Sequence, residues 1–232
     1  RYTEIEEEMN VIITDKFGSI IPLSLFLLTK INEENISVFE KHGIVITKLE
    51  NEKDNIINNL SHPRFELGKL INKYCPAFEG KFDKASHITA VFPILTQGIL
   101  AIKKLVDYID HEIIIDKIPI KNKEMSSYAV KEYLVQHSTS SFNGCHLIIA
   151  SRECTDSIIQ DLKKIHLEPE VIGRVGKKGK PLLNIKDMEI DKYILRRSKI
   201  NKKIRSFRAK GFENMDKDRR SPLSSPSSSL ST

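Results

Sequence analysis

The chain has 232 residues, 40% of them hydrophobic, and a formal net charge of +6, which is apolar material for one substantial core or two small ones. Its longest apolar run, around residues 20–28, is broken by Pro22 and Ser24 and falls short of the about 20 residues that a membrane helix needs, so membrane insertion is not expected. The charge is uneven: residues 191–232 carry 12 Lys and Arg against 4 Asp and Glu, leaving 25 against 27 in the rest, and a slightly acidic body gives nucleic-acid binding no support.

The chain opens at Arg1, and residues 1–10 (RYTEIEEEMN) are acidic, without the basic-then-apolar order of a secretion signal. They read as the remnant of a preceding linker or domain, and the whole as a piece of a longer chain. The three cysteines, Cys75, Cys145 and Cys154, are widely spaced and form no CxxC pair. Neither a disulfide framework nor a zinc site is indicated, a reducing, cytoplasmic setting fits, and no metal ligand is nominated.

Residues 11–14 (VIIT) are β-branched and read as a strand, followed by a turn at residues 15–18 and a buried helix over 20–30 with Pro22 in its first turn, where a missing amide hydrogen costs little. Residues 34–42 continue the helical pattern to Gly43, a C-cap, and residues 44–47 suggest a short strand. Two helices are expected within residues 50–72, separated at Ser61-His62-Pro63. Residues 86–91 read as a strand ending near Pro93, and residues 97–109 as a core-facing helix.

Residues 111–115 (HEIII) are a strong strand, with residues 118–120 as an extended continuation that Pro119 places at an end or edge. A helix is expected over 126–134, a buried strand over 147–150 and a helix over 151–167. Residues 171–175 and 182–185 are expected to pair as a hairpin over a loop containing Gly176, Lys177, Lys178 and Gly179. This alternation predicts helices packed on a mixed sheet, one domain over 11–190. Beyond it, residues 191–232 are basic and then Ser/Pro-rich, and are expected to be a disordered tail.

Three segments carry a family resemblance by their order and spacing. Ala85-Ser86-His87-Ile88-Thr89 resembles the His-Ile-Thr that precedes a glycine run in AIR synthases, where selenophosphate synthetases have Asp-(Val/Ile)-Thr-Gly-Phe-Gly. Ser141-Phe142-Asn143-Gly144-Cys145, running into His146-Leu147-Ile148-Ile149-Ala150, resembles the family's small-residue turn before a buried strand. Glu170-Val171-Ile172-Gly173-Arg174-Val175 resembles the segment that ends the domain. With residues 10–28, which resemble the selenophosphate-synthetase-related branch, the likeness spans about residues 10–185.

The resemblance implies an α+β fold: a PurM C-terminal-like domain of the AIR synthase/selenophosphate synthetase superfamily. It implies ATP and Mg2+ as cofactors, held mostly by an N-terminal half that would partner this one in cis or in trans, and phosphorylation or activation of a small molecule. A homodimer is left open. The family's catalytic Cys or Sec belongs to the N-terminal half, so none of the three cysteines inherits it, no catalytic residue is assigned, and the chain as given is not expected to be a complete enzyme.

Candidate site residues follow from both lines. The resemblance places His87 and Thr89 beside ATP phosphates, although Ala90-Val91-Phe92-Pro93 stands where the family has glycines and cannot supply the same bare backbone cradle; a hydrogen-bonded structural His87 is the alternative. Selenophosphate synthetases have an aspartate at this position for magnesium, a hard ion that histidine suits poorly. Thr96, Gln97 and Gly98 open a helix, where hydroxyl and amides suit an anion or where Thr96 is an ordinary N-cap.

Asp15, at a strand end, is either a cleft carboxylate or a turn residue. Thr139, Asn143 and Gly144 belong to a run of small hydrogen-bonding residues that suits either a ligand-facing loop or a tight turn. Cys145 reads as a small buried residue. The lysine-rich loop at 176–180 lacks phosphate-loop spacing and reads as solvated. Two rivals stand beside the enzyme reading: a non-catalytic regulatory or interaction domain of the same fold, and nucleic-acid binding through residues 196–220.

Overall fold

β1 (Asn10–Ile13) runs through the middle of the molecule, and its Val11, Ile12 and Ile13 are fully buried. The computed structural model describes residues 4–61, 64–77, 80–132, 134–135, 137–141 and 145–186. After β1 come α1 (Ile21–Ile31), α2 (Glu34–Lys41), α3 (Ile46–Ser61), α4 (Phe65–Lys73), β2 (Ile88–Pro93), α5 (Ile99–Ile109), β3 (His111–Ile115) and α6 (Lys123–Lys131). The last are β4 (His146–Ala150), α7 (Arg152–Lys164), β5 (Glu170–Lys178) and β6 (Leu183–Ile185). The class is α+β, with helices packed on a six-stranded mixed sheet of order β2-β4-β1-β5-β3-β6.

β1 pairs antiparallel with β4 on one side and β5 on the other. Successive side chains of a strand point to opposite faces, so the uninterrupted apolar run of β1 requires cover on both. On one face Val11, Ile13, Ile113, Leu147 and Ile149 meet Ile99, Ile102, Leu105, Val106 and Ile109 of α5. On the other, Ile12, Ile148 and Ala150 meet Cys154, Ile158 and Leu162 of α7 with Leu67 and Leu70 of α4. A separate cluster joins Ile21 and Leu25 of α1 to Phe39, Leu49, Met125 and Tyr128. Among the described residues, no helix is long and apolar enough to cross a membrane.

The α7 crossover joins β4 to β5, with β1 lying between them in the sheet and antiparallel to both. Ser151 caps α7, accepting the Cys154 N–H at 3.2 Å while its hydroxyl donates to the Lys84 carbonyl at 2.5 Å.

Four sequence expectations need correcting. Residues 44–47 are not a strand, because α3 already begins at Ile46, and its buried Leu49 and Ile56 make this an amphipathic helix. Residues 118–120 do not extend β3; only an isolated bridge from Ile120 to Phe17 remains. β5 and β6 do not form a hairpin, since β3 lies between them and β6 pairs with β3 in parallel. Finally, Ile5 and Met9, ahead of the expected boundary at residue 11, are buried in the core, and Glu8 N–H donates to the Val175 carbonyl at 2.9 Å. The tail expected over 191–232 lies outside the described residues.

Gly173, the glycine of the third resembling segment, has a steric reason. A Cβ there would lie 1.9 Å from the Ile114 carbonyl oxygen of the neighbouring β3, a clash that only backbone movement relieves. Gly173→Ala is therefore expected to lower stability by about 2–4 kcal/mol, read as a lower urea midpoint at unchanged slope; an unchanged midpoint would contradict the close β3–β5 approach.

Candidate functional site

At the end of the sheet where β1 and β2 finish and β4 begins, three connecting segments are tied together. Gly18 N–H donates to Ser141 Oγ at 3.2 Å, Ser141 N–H to the Leu95 carbonyl at 3.0 Å, and Ile99 N–H to Thr139 Oγ1 at 3.0 Å. Thr139 Oγ1 also lies 2.7 Å from Nδ1 of His137, which suits a neutral ring whose unprotonated nitrogen accepts the hydroxyl proton. Burial pushes the His137 pKa down to about 4. Thr139, Ser141 and His137 are all buried.

This network positions the 3-10 turn Leu95–Gln97 and the start of α5. Gly98 is the residue that precedes the helix, with φ at 52°, and a Cβ there would lie 2.4 Å from Thr139 Oγ1. Thr96 is therefore not the N-cap; it sits exposed, with Gln97, in the preceding turn. Thr96 and Gln97 line a cleft of about 510 Å³ together with Phe92, Pro93, Leu95, Lys104 and Tyr108. Its size falls within the range of small-molecule sites, as does its apolar wall with few polar groups.

Asp15 belongs to the same end of the sheet but not to this cleft. Its Oδ1 accepts the Lys16 N–H at 2.9 Å, and its carbonyl accepts from Cys145 Sγ at 3.5 Å. Burial raises the Asp15 pKa above the ordinary carboxylate value, with the Lys121 charge opposing it. Around it Lys16 pairs with Glu168 at 2.5 Å, and Lys121 with Glu168 at 3.7 Å. Burial also pushes the Cys145 thiol up to about 12, which keeps it protonated and unsuited to nucleophilic attack.

His87 and Thr89 lie at the opposite end of the sheet, where β2 begins. His87 Nδ1 accepts the Asp83 N–H at 2.9 Å, the His87 backbone N–H donates to the Asp83 carbonyl at 2.8 Å, and its ring lies tilted against Phe82 with centroids 5.9 Å apart. Thr89 is the extra residue of a bulge in the β2–β4 ladder, and its buried hydroxyl contacts Met9 Sδ at 3.5 Å. The structure thus gathers Asp15, Thr96, Gln97, Gly98 and Thr139 at one end and leaves His87 and Thr89 at the other. Asn143 and Gly144 lie outside the described residues.

As a phosphate or magnesium site, the described residues fit poorly. The Ile99 amide, one of those at the α5 N-terminus, is taken by Thr139 Oγ1, and the His87 ring nitrogen facing Asp83 is an acceptor. No group of three or more His, Cys, Asp or Glu side chains is placed to hold a metal ion among the described residues.

No family model matches the chain, and no curated protein matches it. Among solved structures, it is similar to the hydrogenase maturation protein HypE: at 12% identity and a TM-score of 0.47 in a HypE–HypF complex, over 81% of this chain and 53% of that one. A second HypE structure gives 10% and 0.48 over 80% and 52%, and Escherichia coli HypE gives 11% and 0.45 over 80% and 48%. The chain spans about half the length of these structures, and likeness at this level decides neither family nor function.

Sequence reading missed the cleft's outer wall. Lys104 and Tyr108 lie four residues apart on the exposed side of α5, a spacing that puts them on one helix face, and Tyr108 is 70% exposed. The signal was present as two large side chains on the polar face of an amphipathic helix. His137 was also missed, although it stands beside the small-residue run that supplied Thr139.

Two outcomes are expected. Thr139→Val leaves the buried Ile99 N–H without its acceptor and costs about 1–3 kcal/mol, whereas Thr139→Ser costs less; equal losses in thermal melts would remove the hydrogen bond from the account. The unfolded chain binds a proton on His137 near the ordinary value of 6.5 and the folded chain only near 4. The stability from neutral His137 is thus complete above about 6.5, declines as the pH falls toward 4 and is flat below; replacing His137 should remove that decline from the pH profile of unfolding.

Proposed function

We propose that this chain is the C-terminal half of an ATP-dependent enzyme related to AIR synthase and selenophosphate synthetase, one that forms a wall of the substrate cleft while an N-terminal half holds ATP and Mg2+. The observation that carries this division of labour is the occupied helix start: Thr139 Oγ1 already accepts the Ile99 amide at 3.0 Å. A phosphate would have to displace a buried hydroxyl to reach it. The three segments of the family resemblance support the reading by where they fall, since they lead into or lie on β2, β4 and β5 of one sheet. The cleft of about 510 Å³ beside Thr96 and Gln97 is then the surface offered to a small-molecule substrate.

A second reading, a non-catalytic interaction domain of the same fold, is favoured by one feature. Ala90, Val91, Phe92 and Pro93 form plain strand in β2 where the family has a glycine loop. Calorimetric titration with Mg-ATP separates the two. The enzyme reading expects no saturable binding by this chain alone, binding once an ATP-binding N-terminal half is supplied, and a Kd within about twofold for His87→Ala and Thr96→Ala. Absence of binding by the folded pair would leave the interaction domain; binding by the chain alone, lost on Thr96→Ala, would return the phosphate site to the start of α5.

A further inference from the structure

β2 is the last strand on its side of the sheet, with β4 as its neighbour; among the described residues no strand pairs with its other edge, where the Ile88 N–H donates to the Tyr74 carbonyl at 2.9 Å. The register fixes which groups face outward. Ile94 N–H donates to the Cys145 carbonyl at 3.0 Å, while His146 turns its backbone to β1, accepting the Thr14 N–H at 2.9 Å and donating to Thr14 Oγ1 at 2.8 Å. Hydrogen-bonded and non-hydrogen-bonded pairs alternate along an antiparallel ladder, and Val91 and Pro93 are opposite Ile148 and His146. The Val91 N–H and C=O and the Pro93 C=O therefore point away from β4.

Two clefts flank this edge, one on each face. The cleft of about 510 Å³ on the α5 side has Phe92, Leu95, Lys104 and Tyr108 in its wall. A second, of about 400 Å³, lies on the α4 side, lined by Ile71 and Cys75 and by Ile88, Thr89, Ala90 and Val91 of β2. A strand laid beside β2 would send successive side chains alternately into these two spaces, which a globular surface or a helix would not. Lys104 has no ion-pair partner among the described residues, so the α5-side cleft joins an apolar wall to an unneutralised cation.

We propose that β2 is a docking edge for an extended segment of a partner protein, apolar at alternating positions and carrying an acidic side chain opposite Lys104. Backbone hydrogen bonds to Val91 and the Pro93 carbonyl supply affinity, and the two clefts and Lys104 supply selectivity, in the manner of strand addition to a sheet edge. A second copy of the chain meets these requirements less well. Its own edge strands, Ile88–Pro93 and Leu183–Ile185, contain no acidic residue to meet Lys104. The inference does not rest on the enzymatic reading, and it gives to the partner's side chains the α5-side cleft that the reading gives to a substrate.

The test selects from a displayed library of random peptides of about eight residues, enough to cover one strand, against the full chain, and measures the enriched peptides by fluorescence anisotropy. Enriched sequences are expected to alternate apolar residues around one Asp or Glu and to slow hydrogen exchange at the Val91 amide. Val91→Pro, which removes an outward N–H that β4 does not use, and Lys104→Glu should each weaken binding about tenfold or more, the latter turning preference from acidic to basic peptides. Melting curves check that both variants fold. Failure to enrich any such sequence, binding indifferent to both variants, or a chain that sediments as a dimer broken by Val91→Pro would overturn the proposal, the last by assigning the edge to a second copy.

Discussion

Residues 11–13 of β1 are the constraint on which the rest depends. Hydrogen-bonded on both sides and buried on both faces, they can exist only inside a sheet covered by helices above and below. That explains why the chain supplies α5 to one face and α4 with α7 to the other, and why β4 and β5 must arrive from far along the sequence to flank β1. A polar residue at Ile12 or Ile13 would leave a buried group with no partner in either layer.

That arrangement also decides where chemistry can reside. Each turn at the β1/β2 end is held by another, through Gly18, Ser141, Leu95, Thr139 and Ile99, so its polar groups face inward and serve the fold. What remains for a ligand is the outer surface of that network: the Leu95–Gln97 turn with Lys104 and Tyr108 above it. Thr139, one of the residues that hold this end of the sheet together, also takes the Ile99 amide at the start of α5.

Much of this architecture was legible in the sequence because its elements are strongly periodic. The α5 pattern of Ile99, Ile102, Leu105, Val106 and Ile109 and the runs at 11–14 and 147–150 declare their structure locally. Pairing partners do not. The spacing of residues 171–175 and 182–185 resembles a hairpin, yet β3 inserts between them, because register is settled by burial of Ile113 and Ile115 against α5 rather than by the loop. The same limit applies to the site. Thr96 precedes a helix in sequence, but a threonine 43 residues later, Thr139, reaches in to take the Ile99 amide, and no local rule could foresee it.

The parallel pairing of β6 with β3 has a bearing on how the chain can be cut. β3 is a run of one histidine, one glutamate and three isoleucines, and the three residues of β6 are its cover along one side. Shortening the chain to end at Lys180, at what looks like the tip of a hairpin, would bare that edge. The shortened product would keep both helical layers yet display a flat apolar strand ready to pair with its own kind. Its failure would then be one of solubility, arising from exposure of β3 along the side where β6 now pairs.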